Sequence, residues 1–284
     1  MAVPPVPISG AMPARTRWAS TLPAVACPTP RHQPSPGAGD GMQYGSGCEP
    51  FSTPSNVSFT FPSAGESGPP IGLPMLAVHE LACRRGERLL FDRLSFELRA
   101  GQVLWLRGAN GRGKTSLLRL LASLSHPAGG DVFWGGSTRH RAAAGFSRNL
   151  VYIAHANALK DDLSALENLQ FLARLHGDDA STPACTEALR RFGLASRRRA
   201  PVRTLSQGQR RRVALARLAL AGTRTFWLLD EPFDALDAEG TATLNQVLSA
   251  HARGGGAVVL TSHLDLSLHE PVPISLQLDA LALQ

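Results

Sequence analysis

The stretch G-A-N-G-R-G-K-T, Gly108 to Thr115, decides the fold of this chain because it satisfies the pattern G-x-x-x-x-G-K-[ST]. The apolar run V-L-W-L precedes it, and a leucine-rich stretch with helical spacing follows it. Gly108, Gly111 and Gly113 allow the backbone to curl so that its N–H groups face one anion, and the following helix adds its positive N-terminal end. The pattern therefore predicts a phosphate-binding loop between a strand and a helix.

The residues of this loop are candidates for binding ATP together with Mg²⁺. Lys114, one of only two lysines among the 29 basic residues of the chain, would reach the β- and γ-phosphates. The hydroxyl of Thr115 would ligate the Mg²⁺ that bridges those phosphates. The predicted nucleotide-binding residues are Gly108, Ala109, Asn110, Gly111, Arg112, Gly113, Lys114, Thr115 and Ser116.

A second motif, F-W-L-L-D-E-P at Phe226 to Pro232, is an apolar strand that ends in two adjacent carboxylates. In such a strand Asp230 can hold the Mg²⁺ shell, while Glu231 points elsewhere and can polarise an attacking water. A surface Asp-Glu pair at the end of a strand is common in isolation. Beside a phosphate loop it indicates ATP hydrolysis, with Thr115 and Asp230 as metal ligands and Glu231 as a catalytic residue.

From residue 75 onward, short apolar runs alternate with helical stretches, which predicts an α/β domain over residues 75–284. The predicted strands are 76–83, 103–107, 131–134, 150–154, 226–230 and 257–261. The predicted helices are 115–124, 165–176, 186–192, 207–220 and 239–253. No apolar run approaches the roughly 18 residues of a membrane-spanning helix, so we expect membrane contact only through a partner.

Residues 1–74 hold fifteen of the 21 prolines and no lysine. A segment rich in Pro, Gly and Ser buries too little apolar surface to offset chain entropy, so we predict that it is disordered. Met75 opens the first strand-like run, which favours a translation start there and an upstream gene-model artefact. A genuine tail or targeting segment is the alternative.

Between the two motifs stands L-S-Q-G-Q-R-R-R-V-A-L-A-R-L, Leu205 to Leu218. Here the chain resembles the ABC ATPases, whose signature is L-S-G-G-Q, with a departure at Gln207. The resemblance implies a P-loop NTPase fold of the ABC type: a mixed sheet core, a helical subdomain at about 156–218 and a small antiparallel β subdomain. It also implies a homodimer in which one subunit's signature meets the partner's ATP. Those signature residues are Ser206, Gln207, Gly208 and Gln209.

Further landmarks follow in the family's order. D-A-L-D, Asp234 to Asp237, resembles the loop that joins the two subunits, and Asp237 is its candidate residue. T-S-H, Thr261 to His263, implies that His263 is the catalytic switch histidine. A lone histidine after a strand is usually a polar cap. Its order and spacing after Glu231 favour the catalytic role.

Two positions depart from the family average. No aromatic residue stands near Cys83 to stack on adenine, and His155 stands where the switch-loop glutamine is expected. These two departures, together with the stretch L-K-D-D-L-S-A-L-E-N-L-Q-F at Leu159 to Phe171, resemble the ATPase subunit of the cytochrome c maturation system, also called the haem exporter. That resemblance implies a peripheral subunit at the cytoplasmic face of the bacterial inner membrane. Bound to an integral membrane permease, it would couple ATP hydrolysis to haem export or delivery. The alternatives are the ATPase of another small exporter and a soluble non-transport ABC ATPase.

The formal charge of +7 includes two arginine runs, Arg197 to Arg199 and Arg210 to Arg212. Basic runs can bind nucleic acid, but no aromatic residues are interleaved with these to stack on bases. We therefore predict no nucleic-acid partner and a solvated or partner-facing role for both runs.

Overall fold

The computed structural model describes residues 74–138, 145–222, 225–264, 266–268 and 270–278. All of them belong to one unit, Phe59–Gln284. The segment predicted to be disordered, residues 1–74, lies outside the described residues except for Pro74. No helix in the described part of the chain is long and apolar enough to span a membrane.

The described elements alternate between strands and helices along the chain. The strands are β1 (Leu76–Arg85), β2 (Arg88–Leu98), β3 (Val103–Arg107), β4 (Gly129–Trp134), β5 (Ser137–Thr138), β6 (Leu150–Ile153), β7 (Phe226–Leu229), β8 (Ala257–Thr261) and β9 (Ile274–Gln277). The longer helices are α1 (Lys114–Leu121), α2 (Ala165–His176), α3 (Thr182–Arg191), α4 (Gln207–Leu215) and α5 (Ala238–Arg253).

Five strands form a parallel sheet in the order β6-β7-β8-β3-β9. Its central strands β7 and β8 are buried at every residue. Both faces of a parallel sheet are covered, so such strands are continuous apolar runs such as F-W-L-L and A-V-V-L-T. Because the strands are parallel, their carboxyl ends meet at one edge of the sheet, and the residues after β3, β7 and β8 come together there.

Two apolar cores lie on opposite faces of this sheet. Side chains alternate along a strand, so Phe226 and Leu228 pack into one core while Trp227 and Leu229 pack into the other. The first core also contains α1 and the antiparallel strands, and the second contains the helices α2 to α5.

The antiparallel sheet has the order β2-β1-β4-β5. The predicted α/β fold of the ABC type with a small antiparallel β subdomain is therefore confirmed, and the five described strands of the core sheet are all parallel. The helices of the predicted subdomain at 156–218 are α2, α3 and α4. Ser164 begins α2 with a reciprocal capping box to Glu167, which fixes the start of that helix where the pattern predicts it.

Candidate active site

A cavity of about 390 Å³ opens at the carboxyl edge of the parallel sheet. This volume falls in the range of roughly 300–1,000 Å³ that is typical of ligand sites. The sides of the cavity come from the phosphate loop, the ends of β7 and β8, and the β1–β2 hairpin. Its lining residues are Arg85, Leu90, Asn110, Gly111, Gly113, Lys114, Thr115, Ser116, His155, Asp230, Glu231, Asp234 and His263.

The phosphate loop is wrapped around its own lysine. Gly111 and Gly113 have φ values of 78° and 99°, a left-handed conformation that glycine adopts without steric cost. The Lys114 side chain is buried, and its Nζ donates a 2.7 Å hydrogen bond to the carbonyl oxygen of Gly108. The same Nζ lies 4.0 Å from Oε1 of Glu231. A cation is thus held at the mouth of the loop, next to the acidic end of β7.

Thr115 and Asp230 meet as predicted for a pair of metal ligands. Thr115 Oγ1 donates to Asp230 Oδ1 at 3.2 Å, and Thr261 Oγ1 donates to the same oxygen at 3.0 Å. Asp230 is 2% exposed, and its second oxygen, Oδ2, has no hydrogen-bond partner among the described residues. A buried carboxylate oxygen without a donor fits a cation, because such an oxygen is costly to leave unpaired.

The residues around this pair suit Mg²⁺ in particular. Mg²⁺ keeps several waters and takes one or two protein oxygens together with substrate phosphates. Within the described ranges, no group of three or more His, Cys, Asp or Glu side chains could hold a metal ion. A cation bound beside Asp230 would take its ligands from Thr115, Asp230, phosphate and water.

Glu231 has a strained backbone and is held by hydrogen bonds with Thr261 and His263. Its backbone is left-handed, with φ 48°, a strain of about 1–3 kcal/mol for a residue other than glycine. Its N–H donates to Thr261 Oγ1 at 2.7 Å, and its Oε2 accepts from the N–H of His263 at 3.1 Å. Burial raises the pKa of the Glu231 carboxyl and Asp234 reinforces this, whereas His263 and Lys114 oppose it. The carboxyl therefore takes up a proton more readily than an ordinary glutamate does.

His155 and Asp237 lie at two different places beside this centre. The His155 side chain is 71% exposed, and its Nδ1 is 3.6 Å from Oδ2 of Asp234 at the rim of the cavity. Asp237 begins α5 by accepting the N–H of Gly240, and its other oxygen accepts from Arg212 at 2.9 Å. Only His155 of the two lines the cavity.

The predicted signature residues are outside the lining of this cavity. Ser206 begins α4 with a capping box, since its Oγ accepts the N–H of Gln209 and the Gln209 side chain accepts the N–H of Ser206. A Cβ at Gly208 would lie 2.5 Å from the carbonyl oxygen of Ala235, so only glycine fits there. Ser206 and Gln207 are exposed, and Gly208 and Gln209 are half-buried.

The remaining predicted loop residues divide between two surfaces. Gly108 and Ala109 line a neighbouring cavity of about 270 Å³ together with Trp105, Arg107, Ser262, His263 and Gln277. Of the described phosphate-loop residues, Arg112 is outside both linings.

Three features of the site were not predicted from the sequence. Thr261 contacts both Asp230 and Glu231. Arg85 and Leu90 also line the cavity and were not among the predicted site residues. Arg211 corrects a prediction, because it is 3% exposed and not part of a solvated run. The sequence signal for Arg211 is its spacing, since Arg211, Ala214, Leu215 and Leu218 fall on one apolar helical face.

Comparison with known proteins agrees with this geometry. Residues 91–234 match the family described as ABC transporter. The chain is 49% identical over 209 residues to the cytochrome c biogenesis ATP-binding export protein CcmA of Aromatoleum aromaticum, covering 74% of this chain and 97% of that protein. It is 47% identical over 196 residues to the protein of the same name from Escherichia coli K12, covering 69% and 92%.

Solved structures share the fold at lower sequence identity. A putative ABC transporter ATP-binding protein from Pyrococcus furiosus superimposes with a TM-score of 0.63 at 21% identity, covering 73% of this chain and 99% of that one. The ATP-binding cassette MJ0796, in a dimeric post-hydrolysis state bound to ADP and Pi, superimposes with a TM-score of 0.59 at 23% identity. It covers 67% of this chain and 88% of that one.

Proposed function

Because this chain belongs to the ABC transporter family of ATPases, we propose that it is the ATP-hydrolysing subunit of an export complex for cytochrome c biogenesis. The observation that carries the proposal is the convergence of Lys114, Asp230 and Glu231 on one cavity, in a chain half identical to proteins named for that process. The cargo that we assign is haem, which the complex exports or delivers through a membrane partner.

The residues of the cavity divide the work of phosphoryl transfer. The phosphate loop and Lys114 hold the β- and γ-phosphates, which concentrates positive charge where negative charge builds up. Thr115 and Asp230 would hold Mg²⁺, which when bound would neutralise negative charge on the phosphates. Glu231 accepts a hydrogen bond from the attacking water and takes its proton, and His263 keeps the Glu231 carboxylate oriented.

The complete site needs two copies of the chain. Ser206 to Gln209 lie away from the chain's own cavity, and this supports a homodimer in which they contact the partner's ATP. Asp237 belongs to the loop between the two copies, and His155 takes the switch-loop position beside the γ-phosphate. An integral membrane permease completes the complex, so the chain is peripheral at the cytoplasmic face of the inner membrane.

Gene replacement tests the biological assignment. In cells whose only copy carries Lys114→Ala or Glu231→Gln, we expect c-type cytochromes with covalently attached haem to be lost, as measured by haem staining after denaturing electrophoresis. The b-type cytochromes, measured in the same membranes by pyridine haemochrome spectra, should remain. Normal c-type cytochromes in either strain would refute the proposal. Purification of the tagged wild-type chain from solubilised membranes should also recover an integral membrane protein.

A further inference from the structure

Arg211 lies on α4, the helix that begins at the signature segment, and its guanidinium is buried. The group reaches two segments outside its own helix. One is residues 154–157, which follow β6, and the other is the acidic pair at the end of β7. Its acceptors on both segments are carbonyl and amide oxygens, which are uncharged.

One nitrogen of Arg211 faces residues 154–157, which we call the switch segment. Nη1 donates to the carbonyl oxygens of Ala154 at 3.0 Å and His155 at 3.3 Å, and to Oδ1 of Asn157 at 3.0 Å. Three oxygens on a turn of four residues thus share one cationic donor. Hydrogen bonds from an ionised donor are about twice as strong as neutral ones, so the guanidinium fixes the path of this turn.

The other nitrogen faces Asp230 and Glu231 at the end of β7, which we call the catalytic strand end. Nη2 donates to the carbonyl oxygens of Asp230 and Glu231, each at 2.8 Å. Successive carbonyl groups of an extended strand point in opposite directions, whereas these two converge on one atom. The backbone angles of Glu231 relate the two peptide planes, and its φ of 48° is left-handed. Arg211 therefore stabilises the strained backbone that aims the Glu231 side chain.

The neighbouring arginines of the same run make different contacts. Arg210 donates to the carbonyl oxygens of Leu205 and Arg203. Arg212 donates to Asp237. Both Arg210 and Arg212 have more exposed side chains, at 36% and 14%. Among these three arginines, Arg211 is the one whose hydrogen bonds join α4 to both the switch segment and the catalytic strand end.

We infer that Arg211 is a positioning residue that transmits engagement of the signature segment to the orientation of Glu231 and of the switch segment 154–157. When Ser206 at the start of α4 contacts the partner's ATP, α4 is held in place, and Arg211 holds the catalytic strand end with it. The inference rests on the proposed two-copy site. In this inference, hydrogen bonds from Arg211 to uncharged oxygens couple the signature segment, which contacts the partner's ATP, to Glu231 in the chain's own site.

Arg211→Lys tests the positioning role, because a single ammonium cannot reach both segments as two guanidinium nitrogens do. We expect kcat for ATP hydrolysis to fall at least about tenfold, while the Kd for ATP changes less than about threefold, since the phosphate loop is untouched. Arg210→Lys is the matched control and should stay within about twofold of the wild type. A folded Arg211→Lys protein with wild-type kcat would overturn the inference.

A double-mutant cycle tests transmission as distinct from local support. Ser206→Ala and Arg211→Lys lie on one proposed path, so their effects on kcat should not add, and the double variant should be about as slow as the slower single variant. If the double variant instead lost kcat by the product of the two separate effects, transmission would be contradicted, even if each single variant were slow.

Hydrogen exchange tests the coupling without a substitution at Arg211. Saturating AMP-PNP with Mg²⁺ should protect the amides of residues 153–158 and 230–236 in the wild type. In Ser206→Ala that protection should be lost while residues 108–116 stay protected, which shows that nucleotide is bound. Equal protection of both segments in the two proteins would refute the coupling. The cytochrome c assignment would stand in that case, because holo-cytochrome levels decide it separately.

Discussion

Glu231 and His263 contact each other twice. The main-chain N–H of His263 donates to Oε2 of Glu231 at 3.1 Å, and the imidazole Nε2 lies 3.3 Å from Oε1. One carboxylate oxygen thus accepts a hydrogen bond from the backbone of His263, and the other lies within ion-pair distance of its imidazole. This double contact fixes the plane of the carboxylate at the end of β7, where a water next to the γ-phosphate would be polarised.

Replacing the carboxylate should separate ATP binding from hydrolysis. Glu231→Gln keeps the shape of the side chain but removes its basicity, and a general base contributes about 10²- to 10⁴-fold to rate. We expect kcat to fall at least about 100-fold and an ATP-bound dimer to accumulate, as seen by size-exclusion chromatography with light scattering. Unaltered hydrolysis in this variant would refute the assigned role.

The same carboxyl should set the acid limb of the pH profile. Its pKa is raised by burial, so it stays protonated to a higher pH than an ordinary glutamate, whose pKa is about 4.3. Activity needs the ionised form, so kcat/KM should begin to fall on acidification at a pH above that ordinary range. Binding of ATP measured across the same pH values corrects for the titration of ATP itself. A limb at the ordinary glutamate value would contradict this prediction.

Lys114 should be needed for nucleotide binding and not for folding. Its Nζ is buried and bonded to the carbonyl oxygen of Gly108, and it has no phosphate to neutralise until ATP is bound. We expect Lys114→Ala to melt within a few degrees of the wild type and to lose ATP binding in isothermal titration. Lys160→Ala, at the other lysine of the chain, is the matched control and should bind normally. Normal turnover in Lys114→Ala would overturn the phosphate-loop assignment.

The base should contribute little to the binding affinity, and therefore little to selectivity between nucleotides. The described lining of the cavity includes Arg85 and Leu90 but no Phe, Tyr or Trp. Stacking of a base on an aromatic ring contributes about 1–3 kcal/mol, and this contribution is missing here. We expect Kd values for ATP and GTP within about threefold of each other, and Arg85→Tyr should tighten both by about tenfold. Arg84→Tyr, at the adjacent position outside the lining, is the control. A strong preference of the wild type for ATP or for GTP would contradict this prediction and show that other residues contact the base.

How much the sequence could predict depends on whether the signal is local. The helix Ala165–His176 is correct at both ends because Ser164 and Glu167 supply a capping box at its start, and Gly177, which is left-handed, ends it. The strands Val103–Arg107 and Ala257–Thr261 are correct because buried parallel strands are short apolar runs with polar ends. Gly108 and His263 follow the ends of these two strands closely, so their placement at the same edge of the sheet could be predicted from the pattern.

Two strands whose definition depends on pairing with another strand were not predicted. β2 reads R-L-L-F-D-R-L-S-F-E-L, which has neither strict alternation nor helical spacing, and its strand character comes from pairing with β1. β9 has four residues and is defined by its pairing with β3. The buried position of Arg211 was missed because an arginine run is usually solvated, and its carbonyl acceptors lie about 20 and 56 residues away in sequence.

His251 should make the fold sensitive to acid in a way that is independent of the active site. Its ring stacks on Trp227, with centroids 3.6 Å apart and planes 7° from parallel. Burial lowers the pKa of His251 from 6.5 to about 4, although backbone hydrogen bonds to Thr225 and Ala257 oppose the shift. The unfolded chain therefore takes up this proton near pH 6.5, while the native protein does not until about pH 4.

The sign follows from proton uptake. Between pH 6.5 and 4 the unfolded state binds more protons at this group, so the free energy of unfolding falls as pH falls. At about 1.4 kcal/mol per unit, the contribution lost between pH 7 and pH 5 is about 2 kcal/mol. We expect urea unfolding to show this loss in the wild type and a correspondingly smaller loss in His251→Phe, which keeps an aromatic ring on Trp227. His126→Phe, at an exposed position, should behave like the wild type. An equal acid-induced loss in His251→Phe and the wild type would exclude His251 as the source.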